Sequence, residues 1–135
     1  MELTIGEVLQ QGMILHREGK LRDAEKFYRA ILRSSPMHSD ANHNLGLIAL
    51  SLNKADTALP LLKAAIDEDS STEQYWLSYI DALIKSKQYE NAKEFIGKAR
   101  EHELSDVSLN ELEASISLLD KKDEISNDKP AKEDI

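Results

Sequence analysis

The sequence of 135 residues contains no cysteine. Disulfides, thiolate metal sites and cysteine nucleophiles are therefore excluded, and the chain suits a reducing compartment. No segment reaches the roughly 20 consecutive apolar residues that a membrane-spanning helix requires. The opening residues, Met1-Glu2-Leu3-Thr4-Ile5-Gly6-Glu7, have neither the basic leader nor the apolar stretch of a secretion signal. The expected location is the cytoplasm, without membrane association. Positive charge is also scarce: 17 Lys and Arg stand against 25 Asp and Glu, a formal net charge of -8. Such a surface repels phosphate backbones, and no local basic patch offsets it. Nucleic acid is excluded as a partner, and a cationic or neutral one is expected.

Patterns that carry chemistry are missing as well. There is no glycine-rich phosphate loop, no nucleophile elbow and no metal-ligand spacing. Of the histidines, His16, His38, His43 and His102, the two nearest in sequence lie five positions apart, which takes them off a common helical face. Acidic residues are plentiful, but helical periodicity puts most of them on solvated faces. No enzymatic activity, cofactor or metal is expected. At 41% hydrophobic content, a chain of this length supports one domain with a continuous core.

What the sequence does have is a repeat. Gly19-Lys20-Leu21-Arg22-Asp23-Ala24 aligns with Asn53-Lys54-Ala55-Asp56-Thr57-Ala58 and with Lys87-Gln88-Tyr89-Glu90-Asn91-Ala92, each alanine standing 34 positions after the last. At the same interval Tyr28, Leu62 and Ile96 recur, as do Ile31, Ala65 and Ala99. Within each unit the apolar residues keep helical spacing on both sides of a polar turn, so each unit is a helix pair. Thr4 and Glu7 form a capping box that opens the first helix, which runs to about Glu18. The second runs from about Leu21 to Arg33 and stops before Pro36. Gly12 and Gly46 allow close approach within a pair. Pro60 falls near the start of a helix over Ala55–Asp67 and predicts at most a mild kink.

After the third unit, Val107, Leu109, Leu112, Ile116 and Leu119 mark an amphipathic closing helix, with Ser108 and Glu111 as its capping box. A solenoid needs such an element to cover its last stacking face. The stretch 120–135 is so rich in charge and so poor in hydrophobes that a disordered tail is expected. The expected domain spans 1–119, with units at about 5–38, 39–72 and 73–106, a capping helix at about 106–119, and the tail at 120–135.

The sequence resembles the tetratricopeptide repeat (TPR) family. The likeness covers roughly Ile5 to Asp106 and rests on Asn44-Leu45-Gly46, on Ala24, Tyr28 and Pro36, and on Trp76 at the family's tryptophan position; Ile80 departs from the family's glycine, and Ser70 and Leu104 from its proline. The resemblance implies an all-α fold, a right-handed α-α superhelix of three helix-turn-helix repeats plus a C-terminal capping helix. It also implies a concave groove, lined by the first helices, that takes a peptide.

Candidate groove residues follow from phase. In the first helix Val8, Gln11, Gly12 and Leu15 mark the packing stripe, which turns Leu9, Met13, His16 and Arg17 toward the groove. Adding 34 gives His43, Leu47, Leu50 and Ser51, and again Leu77, Asp81, Ile84 and Lys85, with Asn44 as a neighbouring amide. Six of these are apolar and outside the main packing phase, which points to an apolar or amphipathic partner. Packing within the core is the competing reading for the same side chains. The family's subtype that clamps acidic chaperone tails needs Lys, Arg and Asn; only Asn44 matches, while Leu9, Met13, Gln74 and Ser78 occupy the other clamp positions. No tight binding of such tails is expected.

The sequence thus reads as a protein-interaction or scaffold module that binds a peptide or amphipathic helix in its groove. One alternative is the N-terminal targeting region of a larger bacterial enzyme, a glycosyltransferase, sulfotransferase or methyltransferase, because Tyr75-Trp76-Leu77-Ser78-Tyr79-Ile80-Asp81-Ala82-Leu83 resembles repeats that precede such domains. Another is a homodimer formed through the apolar stripe or the closing helix.

Overall fold

Each turn inside a unit rests on one residue with left-handed backbone. Gly19, Asn53 and Lys87, 34 positions apart, have φ of 79, 62 and 62°. The amide that follows each bonds back to the helix just ended, Lys20 N to Leu15 O at 2.9 Å, Lys54 N to Ala49 O at 2.9 Å and Gln88 N to Leu83 O at 2.8 Å, which satisfies carbonyls that the helix end leaves free. The structure is a computed structural model that describes residues 2–127. The turns divide it into α1 (Ile5–Arg17) and α2 (Leu21–Ser34), α3 (Ser39–Ser51) and α4 (Ala55–Glu68), and α5 (Glu73–Lys85) and α6 (Tyr89–Glu101), followed by α7 (Asp106–Asn127). The described residues contain no strand.

Sequence patterns account for these elements. The Thr4 side chain accepts the Glu7 amide at 3.1 Å while the Glu7 carboxylate accepts the Thr4 amide at 2.9 Å, closing the capping box of α1. His38 caps α3 through Nδ1, which accepts the Ala41 amide. Ala24, Ala58 and Ala92 are fully buried, and so are the recurring Tyr28, Leu62 and Ile96. Their bulk presses on the partner helix where it has no side chain. A Cβ added to Gly12 would lie 2.8 Å from Tyr28 Cε1, and one on Gly46 would lie 2.6 Å from Leu62 Cδ2. In the third pair a buried Ile80 takes that place. The Trp76 indole N–H donates to the Ser70 carbonyl at 2.9 Å and pins the turn between α4 and α5. Pro60 is accommodated inside α4 with its ring exposed.

The closing helix departs from expectation in its cap and in its far end. Ser108 and Glu111 do not cap it: α7 starts at Asp106, the Ser105 carbonyl accepts the Leu109 amide at 3.2 Å, and the Ser105 amide donates to the Glu73 carboxylate at 2.7 Å. The helix also continues past Leu119 to Asn127, through residues expected in the tail. Leu109, Ile116 and Asp123 are spaced by seven and so share one face. The first two are buried against the third pair. Asp123 accepts the Tyr89 hydroxyl at 2.7 Å, a tertiary bond that holds the polar end of the helix. The rest of the expected tail, 128–135, lies outside the described residues.

Candidate functional site

Because a Gly or Ile of each first helix faces the second helix of its pair, the opposite side of α1, α3, α5 and the start of α7 is left to line a common surface. Two depressions in it share one residue, Leu47. The first, about 230 Å³, lies among Met13, His16, Arg17, Tyr28, Asn44 and Leu47. The second, about 430 Å³, is bounded by Leu47, Gln74, Leu77, Ser78, Asp81, Ser108, Glu111, Leu112 and Ser115. Together they make a trough that crosses the helices, with Leu47, Leu77 and Leu112 half-buried along its floor. Its ends differ in charge. Arg17 and the Asn44 amide lie at the α1 end; Asp81 and Glu111 flank the α7 end, where Lys85 Nζ sits 2.8 Å from Asp81 Oδ2.

A polar layer fixes the floor from below. His43 Nε2 lies 2.8 Å from Ser78 Oγ, joining α3 to α5, and the Gln74 amide donates to the same hydroxyl at 3.3 Å. The His43 ring packs on Tyr75 at 4.9 Å between centroids, and the Tyr75 hydroxyl donates to Asp40. Burial pushes the pKa of His43 below its ordinary value, with hydrogen bonding to Asn44 and the charge of Asp40 opposing. Burial also lowers that of His16, whose Nδ1 lies 3.1 Å from the Tyr28 hydroxyl. Tyr28 is itself pushed up to about 12 by burial, against the pull of Arg17. Burial thus favours the neutral form of both histidines. The Ser78–His43 pair has the separation of a nucleophile and its base, but Ser78 is 4% and His43 6% exposed, and the contact serves to tie two helices together.

Of the thirteen expected groove residues, Met13, His16, Arg17, Asn44, Leu47, Leu77 and Asp81 line the trough, whereas Ser51 lies outside it and donates its hydroxyl to the Ile48 carbonyl at 2.8 Å. Leu9 is half-buried against Tyr28 and Leu45 instead. His43, Leu50 and Ile84 do not reach the surface. Leu50 packs against Ala82 because the following pair covers its position, and Ile84 sits in the core of the last pair, in the cluster that Leu109 and Ile116 of α7 join. Lys85 is exposed beside the trough and reaches it through Asp81. The wall made by Ser108, Glu111, Leu112 and Ser115 was not expected. Its signal is simple: these four follow Gln74, Leu77, Ser78 and Asp81 by 34 positions, so α7 stands as the first helix of a fourth unit. Among the described residues no three His, Asp or Glu side chains gather as a metal site, and no helix is long and apolar enough to cross a membrane.

Antiparallel helix pairs recurring every 34 positions, stacked with one lined face, define an α-helical repeat solenoid. The family pattern described as Tetratricopeptide repeat matches residues 9–72 and 43–101, and the chain belongs to that family. No curated protein matches it by sequence. Among solved structures, the TPR2B domain of yeast Sti1 in its pHsp70 complex has a TM-score of 0.78 at 19% identity, over 85% of this chain and 97% of that one. The Sgt2 TPR domain from Aspergillus fumigatus gives 0.77 at 17% identity, over 94% and 85%. The Yersinia enterocolitica type III secretion chaperone SycD, in complex with a peptide of the translocator YopD, gives 0.71 at 16% identity, over 95% and 98%. At such identities the likeness is one of fold: a right-handed α-α superhelix of three helix pairs with a closing helix.

Proposed function

We propose that this chain is a protein-interaction module whose trough holds a peptide or amphipathic helix with an apolar side chain next to a basic one. The observation that carries this reading is the row Leu47, Leu77 and Leu112, an apolar floor between the carboxylates of Asp81 and Glu111. Apolar side chains gain by leaving water against that floor, and a Lys or Arg beside them meets the Glu111 carboxylate on one side and, on the other, that of Asp81, which it would share with Lys85. Sti1 and SycD, similar in fold, are described in complexes with pHsp70 and with a YopD peptide, which supports a peptide role for this surface. The ligand here differs in charge from an acidic tail. The positions of the acid clamp hold Leu9, Met13, Gln74 and Ser78, and the Ser78 hydroxyl is already engaged by His43 and Gln74. No chemistry is assigned to the trough.

The test is selection of displayed random peptides on this chain, with affinities of the selected peptides measured by fluorescence anisotropy. Apolar-basic sequences are expected, and Leu47→Asp should weaken them by about ten- to a hundredfold, the value of one buried leucine side chain. Selected peptides that bind Leu47→Asp equally well would place the site elsewhere.

A further inference from the structure

Leu50, Ile84 and Leu118 occupy one register position, each 34 positions from the next. The first two are buried, Leu50 at 8% exposure beneath the third pair and Ile84 at 5% in the cluster that Leu109 and Ile116 of α7 join; Leu118 has no such cover among the described residues and is 70% exposed. Val107 and Ile125 share its fate at 68% and 67%. At 3.6 residues per turn, steps of seven and eleven return within about 20° of the same direction. Val107, Leu118 and Ile125 therefore form one line with the small Ala114, on the side of α7 opposite Leu109 and Ile116. Three large exposed apolar side chains in a row are a patch that scattered surface residues do not make.

The order of residues along the line has a symmetry of its own. Val107 and Ile125 stand equally far from residue 116, and so do Ala114 and Leu118, and so do Glu111 and Lys121. We propose that this face pairs with the same face of a second copy of the chain, the two α7 helices lying antiparallel about a two-fold axis level with residue 116. Apolar then meets apolar along the seam, Leu118 fits over Ala114 of the partner subunit, and Glu111 meets Lys121 of the partner subunit twice. A parallel pair would set Glu111 and Lys121 against their own kind. Both charges are available: the ion pairs of α7 run through Asp106, Glu113 and Asp123, and neither Glu111 nor Lys121 has one among the described residues. One helix face is small for an interface, so the association is weak and depends on concentration. It does not rest on the peptide reading of the trough.

Sedimentation equilibrium of the full chain, from micromolar to millimolar, is the test, with circular dichroism to show that each variant stays helical. A monomer–dimer equilibrium is expected, weakened about a hundredfold by Leu118→Glu. Glu111→Lys and Lys121→Glu should each weaken it about tenfold, and the two together should restore it, since only the antiparallel register pairs these positions. A chain monomeric throughout, a dimer indifferent to Leu118→Glu, or a double variant no better than the single ones would overturn the proposal.

Discussion

At the scale of single residues, backbone angle and free space decide what each substitution does. Lys87 carries a side chain at φ 62° where the equivalent first-unit residue is Gly19. Lys87→Gly should relieve the left-handed strain and raise stability by about 0.5–1 kcal/mol in urea melts. Two glycines should answer oppositely to alanine. At Gly97 nothing lies within 4 Å of where a Cβ would stand, so alanine there should gain up to about 1 kcal/mol of helix propensity; Gly46→Ala drives a methyl into Leu62 and should cost about 1–3 kcal/mol. His43 and His16 set the response to acid. Their folded pKa values lie below the ordinary 6.5, so the unfolded chain binds more protons as pH falls through that value. Their stabilising effect is complete above about pH 6.5 and is lost progressively below it, down to the folded pKa. The melting temperature should fall between pH 7.5 and 5.5, above the carboxylate range, and fall less in His43→Gln.

At the scale of elements, first and second helices have different burdens. The second helices α2, α4 and α6 bury one alanine-centred stripe and were legible from Ala24, Ala58 and Ala92 alone. The first helices are covered on more sides, and there phase gave the wrong answer for Leu50 and Ile84: a helical wheel shows which residues share a face, not which neighbouring pair lies on that face. The end of α7 was illegible for a related reason. Composition counts the charges of 120–127, but it does not show that Asp123 follows Leu109 and Ile116 at sevens and meets the Tyr89 hydroxyl, whose pKa that bond pushes up to about 12. Asp123→Ala should speed hydrogen exchange of the backbone amides after Leu119, while the global unfolding temperature changes little.

At the scale of the whole molecule, a stack of pairs gives one continuous surface to several helices, and the trough exists only because α1, α3, α5 and α7 line up along it. Its acid-flanked floor predicts that a peptide ending in several carboxylates binds weakly or not at all, which a titration at low salt would check; tight, salt-sensitive binding would contradict the electrostatics of Asp81 and Glu111. The sequence by itself determined the repeat length, the helix pairs, the alanine and glycine contacts within them and hence the family, because these depend on residues within one repeat of each other. Only the tertiary structure decided which apolar residues remain on the surface, that α7 builds the far wall of the trough, and that His43 is buried beneath it. Those outcomes depend on what stacks against each helix, and stacking is a relation between units that no single unit's pattern contains.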